Sequence, residues 1–232
     1  MKKLNNVGLL LLGIIALQSC NSIASKDAKL KNSADSASYM IGISVGYSIK
    51  AQDVPDIDPN LIAKGIKEVM ESDSATSAQE ANMYLNTFFA KIREEKGKKN
   101  MDEGLAFLEE NKTKEGVIET ATGLQYKVIV EGTGISPKPE DRVKCHYRGT
   151  LINGKEFDSS YKTGQPAEFQ LNRVIPGWTE GLQLMKVGGK YELYIPSQLA
   201  YGPRGGGQTI EPNMTLIFEI ELLDVIPAGS DE

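Results

Sequence analysis

The side chains that could do chemistry lie in five short segments: Cys145-His146-Tyr147-Arg148-Gly149, Phe157-Asp158-Ser159-Ser160, Val174-Ile175-Pro176-Gly177-Trp178, Leu199-Ala200-Tyr201-Gly202, and the lone Phe218. Most are aromatic or aliphatic, and Asp158 is the acid expected to matter among them. His146 is the only histidine in the chain. One histidine removes any His-based dyad and any multi-His metal centre, so no metal site is expected. Cys145 lies two residues before Tyr147 on an apparent strand, so the two share one face, the core. The thiol then reads as packing and not as a nucleophile, and His146 as outward-facing and structural. No cofactor follows from these residue types. They offer apolar surface with a few polar handles.

The elements that must position them read as strands from Gly123 onward. Leu124, Tyr126, Val128 and Val130 alternate strictly, and Gly132-Thr133-Gly134 ends the run. A second strand spans 142–151, and Asn153-Gly154 is a strong two-residue turn signal. Phe157 and Phe169-Gln170-Leu171 follow, and Pro176-Gly177 opens a short amphipathic helix over 178–185. Segments 191–195 and 216–225 complete an antiparallel sheet wrapped on that helix.

Upstream, residues 33–113 are helical in pattern. Asp35 or Ser36 is placed to cap a first helix carrying Tyr39, Met40, Ile43 and Tyr47. Asp58-Pro59 starts a second, with Ile62, Ile66, Val69 and Met70 on one stripe. Ser77-Ala78-Gln79-Glu80 has capping-box spacing, and Tyr84, Leu85, Phe88, Phe89 and Ile92 then recur at helical period. If continuous through Met101, Leu105 and Leu108, this third helix would run about 35 residues, roughly 50 Å. Gly97 and Gly104 weaken it, at about 1 kcal/mol each. Its second half is polar on most sides and is expected to bridge solvent. Three helices make a thin core for one chain. Pairing with a second copy through them is therefore expected, with an intramolecular three-helix bundle as the alternative. The fold class is thus α+β: a helical N-terminal domain, a long linking helix, and a C-terminal sheet around one short helix.

The order and spacing of the C-terminal segments resemble the FKBP family of peptidyl-prolyl cis-trans isomerases. Ser38-Tyr39-Met40-Ile41-Gly42 and the helical layout are similar to the N-terminal dimerisation module of periplasmic members, including the macrophage infectivity potentiator group. The resemblance implies a half-barrel sheet around a short helix, and acceleration of Xaa-Pro rotation without a covalent intermediate. In that template Trp178 floors an apolar cup, and Tyr147, Phe157, Val174, Ile175 and Phe218 are its walls, with Ile210 joining from the loop before the last strand. Tyr201 donates its hydroxyl to a substrate carbonyl, the Ile175 backbone N–H donates a second bond, and Asp158 orients without acting as a base. Catalysis is assigned to Tyr147, Phe157, Asp158 and Tyr201, and substrate binding to the others. Singly, each residue has a bland alternative as core packing or a turn former; together they fit one template in register. The sequence departs from many members at Thr163, at Ala167, which would open one wall, and at Glu211, which would place a charge beside the rim. Pro203 to Gly207 reads as a mobile glycine-rich loop.

Partners follow from the same reasoning. A net charge of −5 offers no basic face for nucleic acid. Lys2-Lys3, the apolar run from Val7 to Leu17, and Leu17-Gln18-Ser19-Cys20 resemble a lipoprotein leader, with an ordinary secretory leader as the alternative. Lipid on Cys20 would anchor the chain to the cell envelope, at the outer membrane facing the periplasm, and leave Cys145 without a disulfide partner. The expected domains are a leader over 1–19, a tether over 20–32, a helical dimerisation domain over 33–119, an isomerase domain over 120–227 and a tail over 228–232. Expected partners are folding exported proteins bearing Xaa-Pro bonds, a second copy of the chain, and macrolide inhibitors of the family. The competing function is a holdase chaperone that grips Pro-containing segments, with incidental catalysis. A shortened chain beginning at Thr120 is expected to keep its full rate on peptides.

Overall fold

A computed structural model describes residues 30–52, 54, 56–72 and 76–230. The leader, Cys20 and most of the expected tether lie outside the described residues. The chain divides into two compact units, one up to Ser72 and one from Asp73 onward.

The first unit holds α1 (Ser33–Ala51) and α2 (Pro59–Glu71). The cap of α1 is Asn32, not Asp35 or Ser36: its side chain accepts the Asp35 N–H at 2.9 Å. Asp35 instead accepts the Lys31 N–H at 2.8 Å, one turn into the cap, where a carboxylate suits the helix dipole. In α2 the Asp58 carboxylate accepts the Asn60 N–H at 2.8 Å, and Pro59 occupies a position whose N–H would be orphaned anyway. Neither helix buries a single residue; Tyr47 is 71% exposed and Met70 81%.

The second unit opens with α3 (Ala78–Asn111), one continuous helix of 34 residues. Its capping box forms in both directions between Ser77 and Glu80. The expectation that its second half bridges solvent is overturned. Gly97, Asn100, Gly104, Leu108 and Asn111 are buried, at helical spacings of three and four. This stripe is small and amide-rich, so hydropathy misses it. It packs because glycine removes the Cβ: one added at Gly97 would lie 3.1 Å from Asn213 Nδ2, and one at Gly104 would lie 3.2 Å from Thr215 Cβ and overlap the Thr215 hydroxyl. The amides then satisfy each other: Asn111 donates to Gln125 Oε1 at 3.0 Å, and fully buried Gln125 donates to the Leu108 carbonyl at 2.9 Å.

The rest of the unit is one antiparallel sheet of seven strands. They are β1 (Val117–Glu119), β2 (Gln125–Val130), β3 (Arg142–Leu151), β4 (Glu156–Ser159), β5 (Ala167–Gln170), β6 (Lys190–Ile195) and β7 (Leu216–Ile226). Their order is β1-β2-β6-β7-β3-β4, and β5 pairs with the first half of β3. Register shifts between Lys144 and Cys145 in the β3–β7 ladder, and between Gly149 and Thr150 in the β3–β4 ladder, mark bulges. Bulges raise local twist and bend the sheet, and its concave side takes α4 (Pro176–Gln183). Alternate residues of the long strands face that helix: Val143, Cys145 and Tyr147 from β3, and Leu216, Phe218, Ile220 and Leu222 from β7. Burying each large side chain stabilises the fold by about 1.5–3 kcal/mol. Cys145 is fully buried, as its spacing from Tyr147 required, and burial pushes its thiol up to about 12.

Candidate active site

A cavity of about 320 Å³ opens at the end of α4. Tyr147 reaches it from the middle of β3, Phe157 and Asp158 from β4, and Phe218 from β7. Val174 and Ile175 lead into α4, and Trp178 sits in its first turn. Tyr201 comes from the loop between β6 and β7. Eight of the nine side chains expected at a pocket therefore share one cavity. Ile210 does not line it, although it belongs to the same buried core as Trp178 and Phe218. Phe169 of β5 and Arg173 line it instead, and neither was expected. Phe169 follows Ala167 by two residues on one strand face, so the alternation could have revealed it. Arg173 stands in a short turn over 171–173 that carries no period.

Trp178 is 4% exposed and meets Tyr147, Phe169 and Phe218 edge to face, at centroid distances of 5.2, 5.3 and 5.1 Å. Such pairs add about 0.5–1.5 kcal/mol each beyond area burial. Phe157 meets Phe218 in the same manner at 5.4 Å. The indole Nε1 is the one buried side-chain polar atom left without a partner among the described residues. A buried donor without a partner costs about 1–3 kcal/mol.

The Tyr147 hydroxyl donates to Asp158 Oδ2 at 2.6 Å, and the Ser159 N–H donates to Asp158 Oδ1 at 2.8 Å. Burial, and then the carboxylate beside it, hold the Tyr147 phenol far above its ordinary pKa, so it remains a neutral donor. The Tyr147 backbone is fixed as well, its N–H donating to Ser160 Oγ at 2.9 Å. Tyr201 differs: it is 43% exposed, and its hydroxyl has no partner among the described residues. The site thus holds one tyrosine already spent on an acid and one free to meet a ligand.

Three flanking expectations change. His146 lies on the face of β3 opposite the core, as expected, but is half-buried there and not exposed: it stacks on Tyr161 at 4.7 Å, with Nδ1 3.0 Å from Ser160 Oγ. Glu211 turns to α3 and not to the rim, 3.3 Å from Lys96 Nζ and 3.3 Å from Asn100 Nδ2. Pro203 to Gly207 is tied down, since Gly206 and Ile210 exchange backbone bonds of 2.8 and 3.2 Å. Thr163 bonds its hydroxyl to the Ser160 carbonyl and stands apart from the cavity, and Ala167 pairs with Cys145.

Comparison with known proteins locates this arrangement. The family model described as FKBP-type peptidyl-prolyl cis-trans isomerase matches residues 134–223, and that of the domain amino-terminal to it matches residues 34–128. Outer membrane protein MIP of Legionella longbeachae is 42% identical over 225 residues, covering 93% of this chain and 96% of its own. An FKBP-type 22 kDa peptidyl-prolyl cis-trans isomerase of Escherichia coli is 43% identical, covering 82% of this chain and 94% of its own. The crystal structure of FkpA from Escherichia coli superposes with a TM-score of 0.65 at 40% identity, over 86% of this chain and 99% of that one.

Proposed function

The chain belongs to the FKBP-type peptidyl-prolyl cis-trans isomerases, and from that premise we propose that the cavity around Trp178 is where its isomerase activity resides. The observation that carries this is the meeting of eight template residues, from three strands, a helix and two loops, on one apolar cavity.

The reaction needs no nucleophile. Rotation about a prolyl bond must break amide resonance, a barrier of roughly 18–20 kcal/mol. The planar amide separates charge more than the twisted one does. A cup that strips water from the carbonyl therefore disfavours the ground state, and contacts to the twisted form favour the transition state. In this reading the prolyl ring rests on Trp178 between Tyr147, Phe157, Val174 and Phe218. The Tyr201 hydroxyl and the Ile175 N–H hold the flanking carbonyls. Asp158 fixes Tyr147 by accepting its hydroxyl, and the rotation asks no proton transfer of it.

The substrates are Xaa-Pro bonds of folding exported proteins, with an apolar residue before proline, and macrolides of the kind that bind the family would compete. Lipid on Cys20 anchors the chain at the outer membrane, facing the periplasm; the leader pattern supports this, as does the name borne by the Legionella relative. The helices at the start of the expected 33–119 dimerisation domain, α1 and α2, pair with a second copy of the chain, which the lack of any buried residue in either supports. Two linked pockets on one client would raise avidity through effective concentration.

The test is a protease-free isomerisation assay on a Leu-Pro peptide with the mature protein, Asp158→Val and Tyr201→Phe. Slowing of about tenfold or more in Asp158→Val, a loss of about 1.4 kcal/mol of transition-state stabilisation, supports the assignment. Full activity in both variants would move the site elsewhere.

A further inference from the structure

We propose that Asn213 is a positioning residue through which α3 sets the place of Tyr201 at the pocket rim. The inference rests on the reading of Tyr201 as the donor to substrate.

Asn213 stands between the helix and the loop that carries Tyr201. Its side chain donates to the Gly97 carbonyl of α3 at 3.1 Å, and its backbone N–H donates to the Gly202 carbonyl, next to Tyr201, at 2.9 Å. To do both, it adopts a left-handed backbone with φ of 60°. Asparagine tolerates that region better than most residues. The approach is close because position 97 has no Cβ: one there would lie 3.1 Å from Asn213 Nδ2 and press the amide away.

A second route runs alongside. Asn100 donates to the Pro212 carbonyl at 3.0 Å and to Glu211 at 3.3 Å, which holds the chain just after Ile210. Ile210 is bonded in both directions to Gly206, and the Tyr201 ring lies on Gly206 so closely that a Cβ there would come within 3.0 Å of ring carbons. Tyr201 thus has Gly206 against its ring and Gly202 behind its backbone, and α3 holds both. The hydroxyl itself has no hydrogen-bond partner among the described residues. Its position therefore depends on this frame, and a small misplacement of a catalytic donor is costly.

The experiment uses the full chain carrying 3-fluorotyrosine only at position 201, with and without Asn213→Gly. Glycine permits the left-handed backbone and removes the side chain that bonds Gly97. The expected result is a shifted or broadened fluorine resonance and a fall in kcat on a Leu-Pro peptide of about fivefold, with KM within about twofold. In a Tyr201→Phe background, Asn213→Gly should add nothing further, because both changes act through one hydroxyl. An unchanged resonance overturns the inference, and so does a slowing that persists in full beside Tyr201→Phe. If Tyr201→Phe is itself as fast as the parent, the donor reading falls, while the resonance still decides whether α3 positions the ring. Should Asn213→Gly fail to fold, Gly97→Ala perturbs the same contact from the helix side and must move the same resonance.

Discussion

Both oxygens of Asp158 are occupied, so its contribution should follow its shape as an acceptor more than its charge. Asp158→Asn keeps an oxygen for Tyr147 and should slow peptide isomerisation by about threefold, against about tenfold or more for Asp158→Val. Equal losses in steady-state assays would mean that the charge itself matters. Cys145 makes a second residue-level prediction. An unfolded thiol ionises near pH 8.5, whereas burial holds this one up to about 12. Between those values the unfolded chain binds fewer protons than the native one, so stability falls as pH rises. The urea midpoint should drop progressively above about pH 8.5, and Cys145→Ala should flatten that slope. Native protein should resist iodoacetamide, because a buried neutral thiol is neither nucleophilic nor accessible.

Among the elements, α3 changes most on moving from sequence to structure. Its second half completes the isomerase domain. Leu108 is 8% exposed, so Leu108→Ala should cost about 2–4 kcal/mol in denaturant unfolding. Gly104→Ala sets two effects against each other. Helix propensity gains about 1 kcal/mol, whereas overlap with Thr215 costs about 1–3 kcal/mol, so the net change should be destabilising. A chain cut at Thr120 would lose Leu108 and Asn111, and with them the partners of buried Gln125. It would also lose Gly97 and Asn100, which hold the Tyr201 loop. Such a chain should be less stable and slower on peptides than one beginning at Ala78, contrary to the expectation that the sheet alone suffices. Equal rates and midpoints for the two would show that α3 is only a spacer.

For the whole molecule, the question is what covers α1 and α2. Helices of 19 and 13 residues without a buried side chain are marginal in water, whatever their propensity. A second copy of the chain is the proposed cover. Sedimentation of the mature protein should then give about twice the monomer mass. Val69→Glu, at a position 66% exposed in the single chain, should shift it toward monomer. On a truly solvated face the same change would stay within about 0.5 kcal/mol and leave the mass untouched.

The sequence alone determined the α+β class, the caps at Asp58 and Ser77, and eight of the residues that share the cavity. Period-two alternation, capping chemistry and turn signals are local, and the aromatic segments keep a spacing that one family template reads in register. Only the tertiary structure decided the rest. Hydropathy could not find the buried stripe of α3, because glycine and asparagine pack through close approach and paired amides and not through apolar area. Nor could it place Glu211, whose partner lies 115 residues away in Lys96, or bring Phe169 and Arg173 to the rim. Ile210 shares the buried core with Trp178 and Phe218 but does not line the cavity, because which face of a core side chain meets a cavity is settled by what folds around it.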